Sequence, residues 1–322
     1  MRKRLRALWK PELYHGWGRK KRFFEGWYYK VVSADEKHAF AFIPGIAMDA
    51  DGKQQAFVQV LDGKKLTAAY HQFKGSEFIA QPTIHHVLVG KSNFTDNYID
   101  LNLPNIKGKI QFENKFAWPS SWFSPGIMGP FSFAPRMECK HGILSMDHSL
   151  KGELIIDNER VDFNEGRGYM EKDWGHSFPE GYIWMQCNHF STAGVSIKAS
   201  VAKVPWMGSS FVGFIAGILI NGTLYQFTTY NFTKLRHCSV EATQIAVTME
   251  NLKHRLEIIA HRERATVLAA PIGGFMDARI EESMMARLDV KLTEKKTGDI
   301  IFEDTGTSAG LEVAGKYELL LK

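Results

Sequence analysis

The densest run of chemically able side chains in this 322-residue chain is Gly168-Tyr-Met-Glu-Lys-Asp-Trp-Gly-His-Ser-Phe-Pro-Glu-Gly-Tyr-Ile-Trp-Met-Gln-Cys-Asn-His-Phe. Side chains alternate across a strand. An extended segment from Tyr169 to Asp173 therefore sets Tyr169, Glu171 and Asp173 on one face, with Met170 and Lys172 on the other. If the next segment is also extended, Tyr182, Trp184, Gln186 and Asn188 share a face as well. Two carboxylates and a ladder of polar groups facing an aromatic cleft are material for acid–base chemistry on a bound ligand. The same spacing also suits a solvent-facing strand with a Glu–Lys pair, or a Gly-Pro corner between domains.

Other chemistries find less support. Cys139, Cys187 and Cys238 are odd in number and widely spaced, so neither a disulfide framework nor a zinc pattern is expected. His85-His86 is the only histidine cluster, and adjacent strand residues point to opposite faces, against joint chelation. No metal and no cofactor is expected.

The net charge of +5 is unevenly spread: residues 1–30 hold ten basic and two acidic side chains, and the remainder is net acidic. The arm opening Arg2, Lys3, Arg4, Arg6 reads as a solvated tail or, over residues 2–22, as a peripheral contact with anionic lipid. Without a following recognition fold, nucleic acid is not an expected partner. No apolar core of a secretion signal follows the basic run. The most apolar window, Phe211 to Ile220, is half the roughly 20 residues that a helix needs to cross a bilayer. The expected location is the cytoplasm, or peripherally the inner membrane face.

The elements that must carry these residues are strands. Hydrophobic alternation of period two marks 27–33, 38–43, 55–61, 84–89, 182–190, 195–204, 211–220 and 224–230, with Asp51-Gly52, Asp62-Gly63 and Asn221-Gly222 as turns. Only 278–288 has a helical look, and it runs into an alternating segment. The chain reads as all-β. A Trp-bearing strand followed by an apolar return strand opens each half, which divides the chain into a basic arm (1–21) and two similar β units, 22–165 and 166–322. Between them, Trp118 to Pro135 holds four prolines and five aromatic rings, so it is irregular. It either plugs a core or, through Trp122 and Phe131, walls a ligand cavity.

Several blocks together resemble the tocopherol cyclase family. They are Phe24-Glu-Gly-Trp-Tyr-Tyr-Lys-Val, Ser124-Pro-Gly-Ile-Met-Gly-Pro-Phe-Ser-Phe-Ala-Pro-Arg-Met-Glu-Cys-Lys-His-Gly, Tyr169-Met-Glu-Lys-Asp-Trp-Gly-His-Ser-Phe-Pro with Trp184-Met-Gln-Cys-Asn, and Gly310-Leu-Glu-Val-Ala-Gly. The resemblance runs in order from about residue 22 to the end. It departs at the arm, which is not Ser-rich as a plastid transit segment would be, and so implies a bacterial member. A more distant similarity is to carotenoid hydratases, whose Tyr-x-Asp-x-x-x-Gly segment has an acid at the place of Glu171.

The resemblance implies a lipocalin-like (calycin-type) architecture of two antiparallel β units or barrels with a ligand cavity. It also implies cofactor-free cyclisation of a prenylated hydroquinone or related isoprenoid lipid. The partner is then a small hydrophobic or amphiphilic ligand; the alternative is a carrier or sensor of such a lipid. Alkene protonation requires an acid kept protonated by an apolar site. Glu171 is the first candidate, with Asp173 as alternative or partner. Trp27, Tyr29, Trp174 and Trp184 are candidate cation-stabilising rings, although Trp27 and Trp184 suit core packing equally. Tyr182, Gln186 and Asn188, with Tyr169, are candidate head-group contacts. Glu25 is expected to pair with Arg136, Lys172 to lie at the surface, and His176 to be a plain loop residue.

Overall fold

The structure, a computed structural model, describes residues 2–321 except Arg136 and Met207. It is nearly all strand and divides into two compact units, Met1–Phe178 with Leu268–Arg279, and Pro179–Val267 with Ile280–Lys322. Among the described residues no helix is long and apolar enough to cross a membrane.

The first unit is one twelve-stranded antiparallel sheet. At its centre Arg167–Gly175 lies between Phe23–Val32 and Cys139–Ile156. The sheet is rolled: Tyr29, on the strand next to Arg167–Gly175, hydrogen-bonds through its hydroxyl to the carbonyl of Thr95, five strands away in sheet order. The enclosed face is packed with Trp27, Tyr29, Phe42, Val60, Phe94 and Ile110, which belong to one apolar cluster. The other sheet has ten antiparallel strands, and the apolar cluster of the second unit includes Ile183, Met185, Ile197 and Leu288.

The strand pattern read from alternation is present, with ends shifted by a few residues. The helical-looking segment lies within the 20-residue strand Phe275–Glu294. Its burial alternates with period two over most of its length, and tertiary packing outweighs local helix preference. Asn221 and Gly222 both have positive φ (48° and 77°), as a tight two-residue hairpin turn requires. The stretch from Trp118 to Pro135 is irregular apart from a single turn of 3-10 helix, Gly129–Phe133.

The division between units falls at Phe178/Pro179, not at 165/166. Glu165, with φ 59°, turns the chain from Glu159–Asp162 into Arg167–Gly175 within the same sheet. The carboxylate-bearing strand is therefore the middle of the first unit, not the opening of the second. The first unit also recruits a distant segment: the Ala269 N–H donates to Gln59 Oε1 (2.8 Å), and Gln59 Nε2 donates back to the Ala269 carbonyl (3.3 Å).

Candidate active site

Register on the central strand decides which side chains meet. Asp173 pairs with Gly26 on one side and His141 on the other; Glu171 pairs with Tyr28 and Ile143. Directly paired residues project to the same face. Tyr169, Glu171, Asp173 and His141 are thereby gathered on one face.

There they form a chain of polar contacts. The Tyr169 hydroxyl donates to Glu171 Oε2 at 2.5 Å. His141 Nε2 lies 3.4 Å from that same oxygen, and His141 Nδ1 is 2.9 Å from Asp173 Oδ1. Cys139 Sγ donates to Asp173 Oδ1 at 3.7 Å. Glu171 is only 4% exposed. Burial, and then the neighbouring Glu171 charge, push the Tyr169 phenol well above its ordinary range, so it stays a donor. Burial and then Asp173 likewise keep Cys139 a thiol.

Asp173 fixes the imidazole, since an aspartate at Nδ1 favours a hydrogen there and leaves Nε2 toward Glu171. His141 Nε2 is buried and makes no hydrogen bond, facing the Glu171 carboxyl across 3.4 Å. The donor atoms of His141, Glu171 and Asp173 also lie within 4.8 Å of one another, a set able to ligate a divalent cation.

The opposite face of the strand carries a different charge cluster. Lys172, expected at the surface, is fully buried (0% exposed) and pairs with Glu25 at 2.5 Å. The alternation was read correctly, but the far face is the packed core and not solvent. Arg136, the partner expected for Glu25, lies outside the described residues. Lys172 Nζ also donates to the carbonyls of Pro11 (3.0 Å) and Leu13, and to His15 Nδ1 (2.9 Å). It stands 4.4 Å from the Trp27 ring centre and 5.0 Å from that of Trp174. Glu25 in turn accepts the backbone N–H groups of His15 and Gly16.

Burial alone would raise the Glu25 carboxyl, but the Lys172 ammonium beside it holds it below the usual carboxylate range. Burial brings Lys172 down to about 8 and, with the Lys172 charge, brings His15 down to about 4. His15 is neutral, with its hydrogen on Nε2, because that nitrogen faces the Ala7 carbonyl (2.9 Å), which can only accept.

Several expected site residues fall on this core face. Trp27 donates its indole N–H to the Glu12 carbonyl (3.1 Å), Tyr29 bonds to Thr95 and His85, and Trp174 stacks on His15 with ring centres 4.0 Å apart. The strand directs all three away from Glu171. His85 and His86 have separate partners, Tyr29 and Asn93. Trp122 is 77% exposed and packs on Trp9 (5.4 Å between ring centres), while Phe131 is half-buried. His176 sits in a turn beside Ser177, 3.3 Å from its hydroxyl.

In the second unit, Tyr182, Trp184 and Gln186 share one face of Gly181–Cys187, with Asn188 just beyond that strand, all four buried. Tyr182 donates to Glu312 Oε2 at 2.7 Å. The Trp184 ring covers Gly310, where a Cβ would come within 2.6 Å of it. Lys198, Glu282 and Glu312 are on strands paired into the same sheet, and the sequence reading missed all three along with His141. Only register across distant strands reveals them. The Cys-Lys-His block at 139–141 carried a signal, since it lies inside the resemblance.

The profile of the tocopherol cyclase-like family matches residues 105–315, two thirds of the chain, including Tyr169, Glu171, Asp173 and His141. The chain belongs to the tocopherol cyclase-like family. It is 24% identical to the probable tocopherol cyclase, chloroplastic, of Oryza sativa subsp. japonica, over 96% of this chain and 79% of that protein. With the chloroplastic tocopherol cyclase of Zea mays the identity is 29% over 80% of this chain, which spans about half (53%) of the maize protein. Both relatives are tocopherol cyclases by name, and so enzymes.

Among solved structures, CghA with Sch210972 superposes with a TM-score of 0.55 at 10% identity, covering 91% of this chain and 88% of CghA. A Nitrosomonas europaea protein labelled AttH gives 0.52 at 12% identity, over 91% and 92%. At such identities the likeness is one of fold, and the tocopherol cyclase-like chain has the lipocalin-like, all-β architecture that its blocks implied.

Proposed function

We propose that this protein cyclises a prenylated hydroquinone or a related isoprenoid lipid, with Glu171 as the proton donor, backed by His141 and Asp173. The observation that carries the reading is the single carboxyl oxygen of Glu171 facing both Tyr169 and His141, in a chain of the cyclase family. The proton passes from Glu171 to the less substituted alkene carbon, and a tertiary cation forms next to it. The phenol oxygen of the same molecule bonds to that cation and releases its own proton, which returns to the Glu171–His141 pair. One C–H and one C–O bond form, one O–H and one π bond are lost, and no co-reactant is consumed. Holding the oxygen beside the cation makes the closure intramolecular, and a site free of water prevents hydration instead of closure.

Glu171→Gln keeps the shape of the side chain and cannot donate a proton to carbon. It is expected to lower turnover of a prenyl hydroquinone at least about 100-fold, with affinity changed only a few fold. Asp173→Asn measured alongside reports how the shared proton is held. Full turnover in both single variants and in the double variant defeats the assignment. Binding without conversion by the unaltered protein would favour a carrier.

A further inference from the structure

The basic arm and the ring-rich loop form one layer beside Gly142 and Trp174, on the face of the central strand opposite Glu171. Pro11 lies against Gly142, where any Cβ would come within 2.7 Å of the proline ring. Leu8 and Pro11 from the arm, with Pro125, Gly126 and Ser132 from the loop, roof a space of about 30 Å³ floored by Lys140, His141 and Trp174. That volume suits a water molecule and no organic ligand. Lys140 Nζ donates to the Ser132 carbonyl at 2.6 Å, and Trp9 donates its indole N–H to the Trp122 carbonyl at 3.1 Å. Arm and loop are thus tied to each other as well as to the strand below.

The outer side of the same layer is unusual for a surface in water. Trp122 and Phe123 are 77% and 86% exposed, and Phe133, against Trp9, is also exposed. Exposed Lys3 and Arg6 lie on the short helix Arg2–Leu8 that leads into Trp9, with Lys10 exposed just beyond it, and the Lys3 ammonium stands 4.2 Å from the Trp17 ring centre; the side chains of Arg2 and Arg4 lie outside the described residues. Clustered rings among cations match the interface of an anionic bilayer, where rings enter the head-group level and ammonium and guanidinium groups meet lipid phosphates.

We propose that this layer is a membrane-docking surface which holds the protein against an anionic bilayer and so brings it to a lipid substrate. The docking stands on the surface alone; the identity of the substrate rests on the cyclase reading.

The test uses the full chain and vesicles of phosphatidylglycerol and phosphatidylcholine, compared with phosphatidylcholine alone. Co-sedimentation is expected only with the anionic vesicles and is weakened by salt. Phe123→Asp, and separately Lys3→Glu with Arg6→Glu, should each weaken it about tenfold. Both variants should turn over a vesicle-borne prenyl quinol more slowly, yet match the unaltered protein on a short-chain quinol free in solution. Equal binding to both vesicle types, or unchanged binding by both variants, overturns the docking proposal. Loss of conversion of the free quinol by the unaltered protein would instead strike the cyclase reading, while vesicle binding still decides the docking.

Discussion

The two faces of the strand Arg167–Gly175 both bury charge, and they do so to opposite ends. On the core face, Lys172 and Glu25 satisfy each other, and backbone groups of residues 11–16 take up their remaining hydrogen-bonding capacity. Nothing there can move without leaving a charge stranded. On the other face, the His141 imidazole stands between two carboxylates, 3.4 Å from Glu171 and 2.9 Å from Asp173, with the Tyr169 hydroxyl on Glu171. Ion pairs locked by backbone groups hold a structure together, whereas a carboxyl–imidazole–carboxyl set is material for acid–base chemistry. A buried charge is therefore informative only with its partners counted.

Removing one member of the saturated set should have the largest effect. Lys172→Met leaves Glu25 buried and unpaired, at a cost of about 3–5 kcal/mol of stability by denaturant melting. Lys172→Met with Glu25→Gln should recover much of that loss. A Glu171→Gln variant as unstable as Lys172→Met would erase the contrast between the faces. His141→Gln should come next: turnover falls about 10- to 100-fold, with the melting temperature little changed. Unaltered turnover would remove His141 from the proton path.

Acid should separate the faces more gently. The folded chain holds His15 at about 4 and His148 at about 3, against about 6.5 when unfolded. Between pH 6.5 and 4 the unfolded chain binds protons that these buried imidazoles refuse, so stability falls as pH falls. The slope is about 1.4 kcal/mol per pH unit for each such histidine. Thermal melts across this window check it, and His15→Asn should flatten the curve. The smallest effect expected is partial inhibition by zinc, which would occupy the donors of His141, Glu171 and Asp173 and exclude the shared proton. Activation by zinc would point to metal-assisted chemistry at the same atoms.

Much of this was legible in the residues. Alternation alone grouped Tyr169, Glu171 and Asp173, whereas Trp174 was expected beside Glu171 although the same alternation sets it on the other face. The facing of Trp27 and Tyr29 was not legible, because it depends on Tyr28 pairing with Glu171, a register fixed between strands distant in sequence. His141 was hidden for the same reason. Lys172 was misjudged because lysine suggests solvent, and only the structure reveals the carboxylate and carbonyls waiting for it in the core.

The position of Arg167–Gly175 also has a consequence for biosynthesis. Lys172 reaches back 157 residues to His15, and its strand completes the pairing of Phe23–Val32. On the ribosome, the amino-terminal strands wait with an open edge, and with a carboxylate that lacks its cation, until the chain has emerged past Gly175. Such long-range pairing is slow, and open edges invite association with other chains. A nascent fragment released before residue 167 would therefore be a client for chaperones or proteases, and the cell obtains the reactive face only after the whole first sheet has been synthesised.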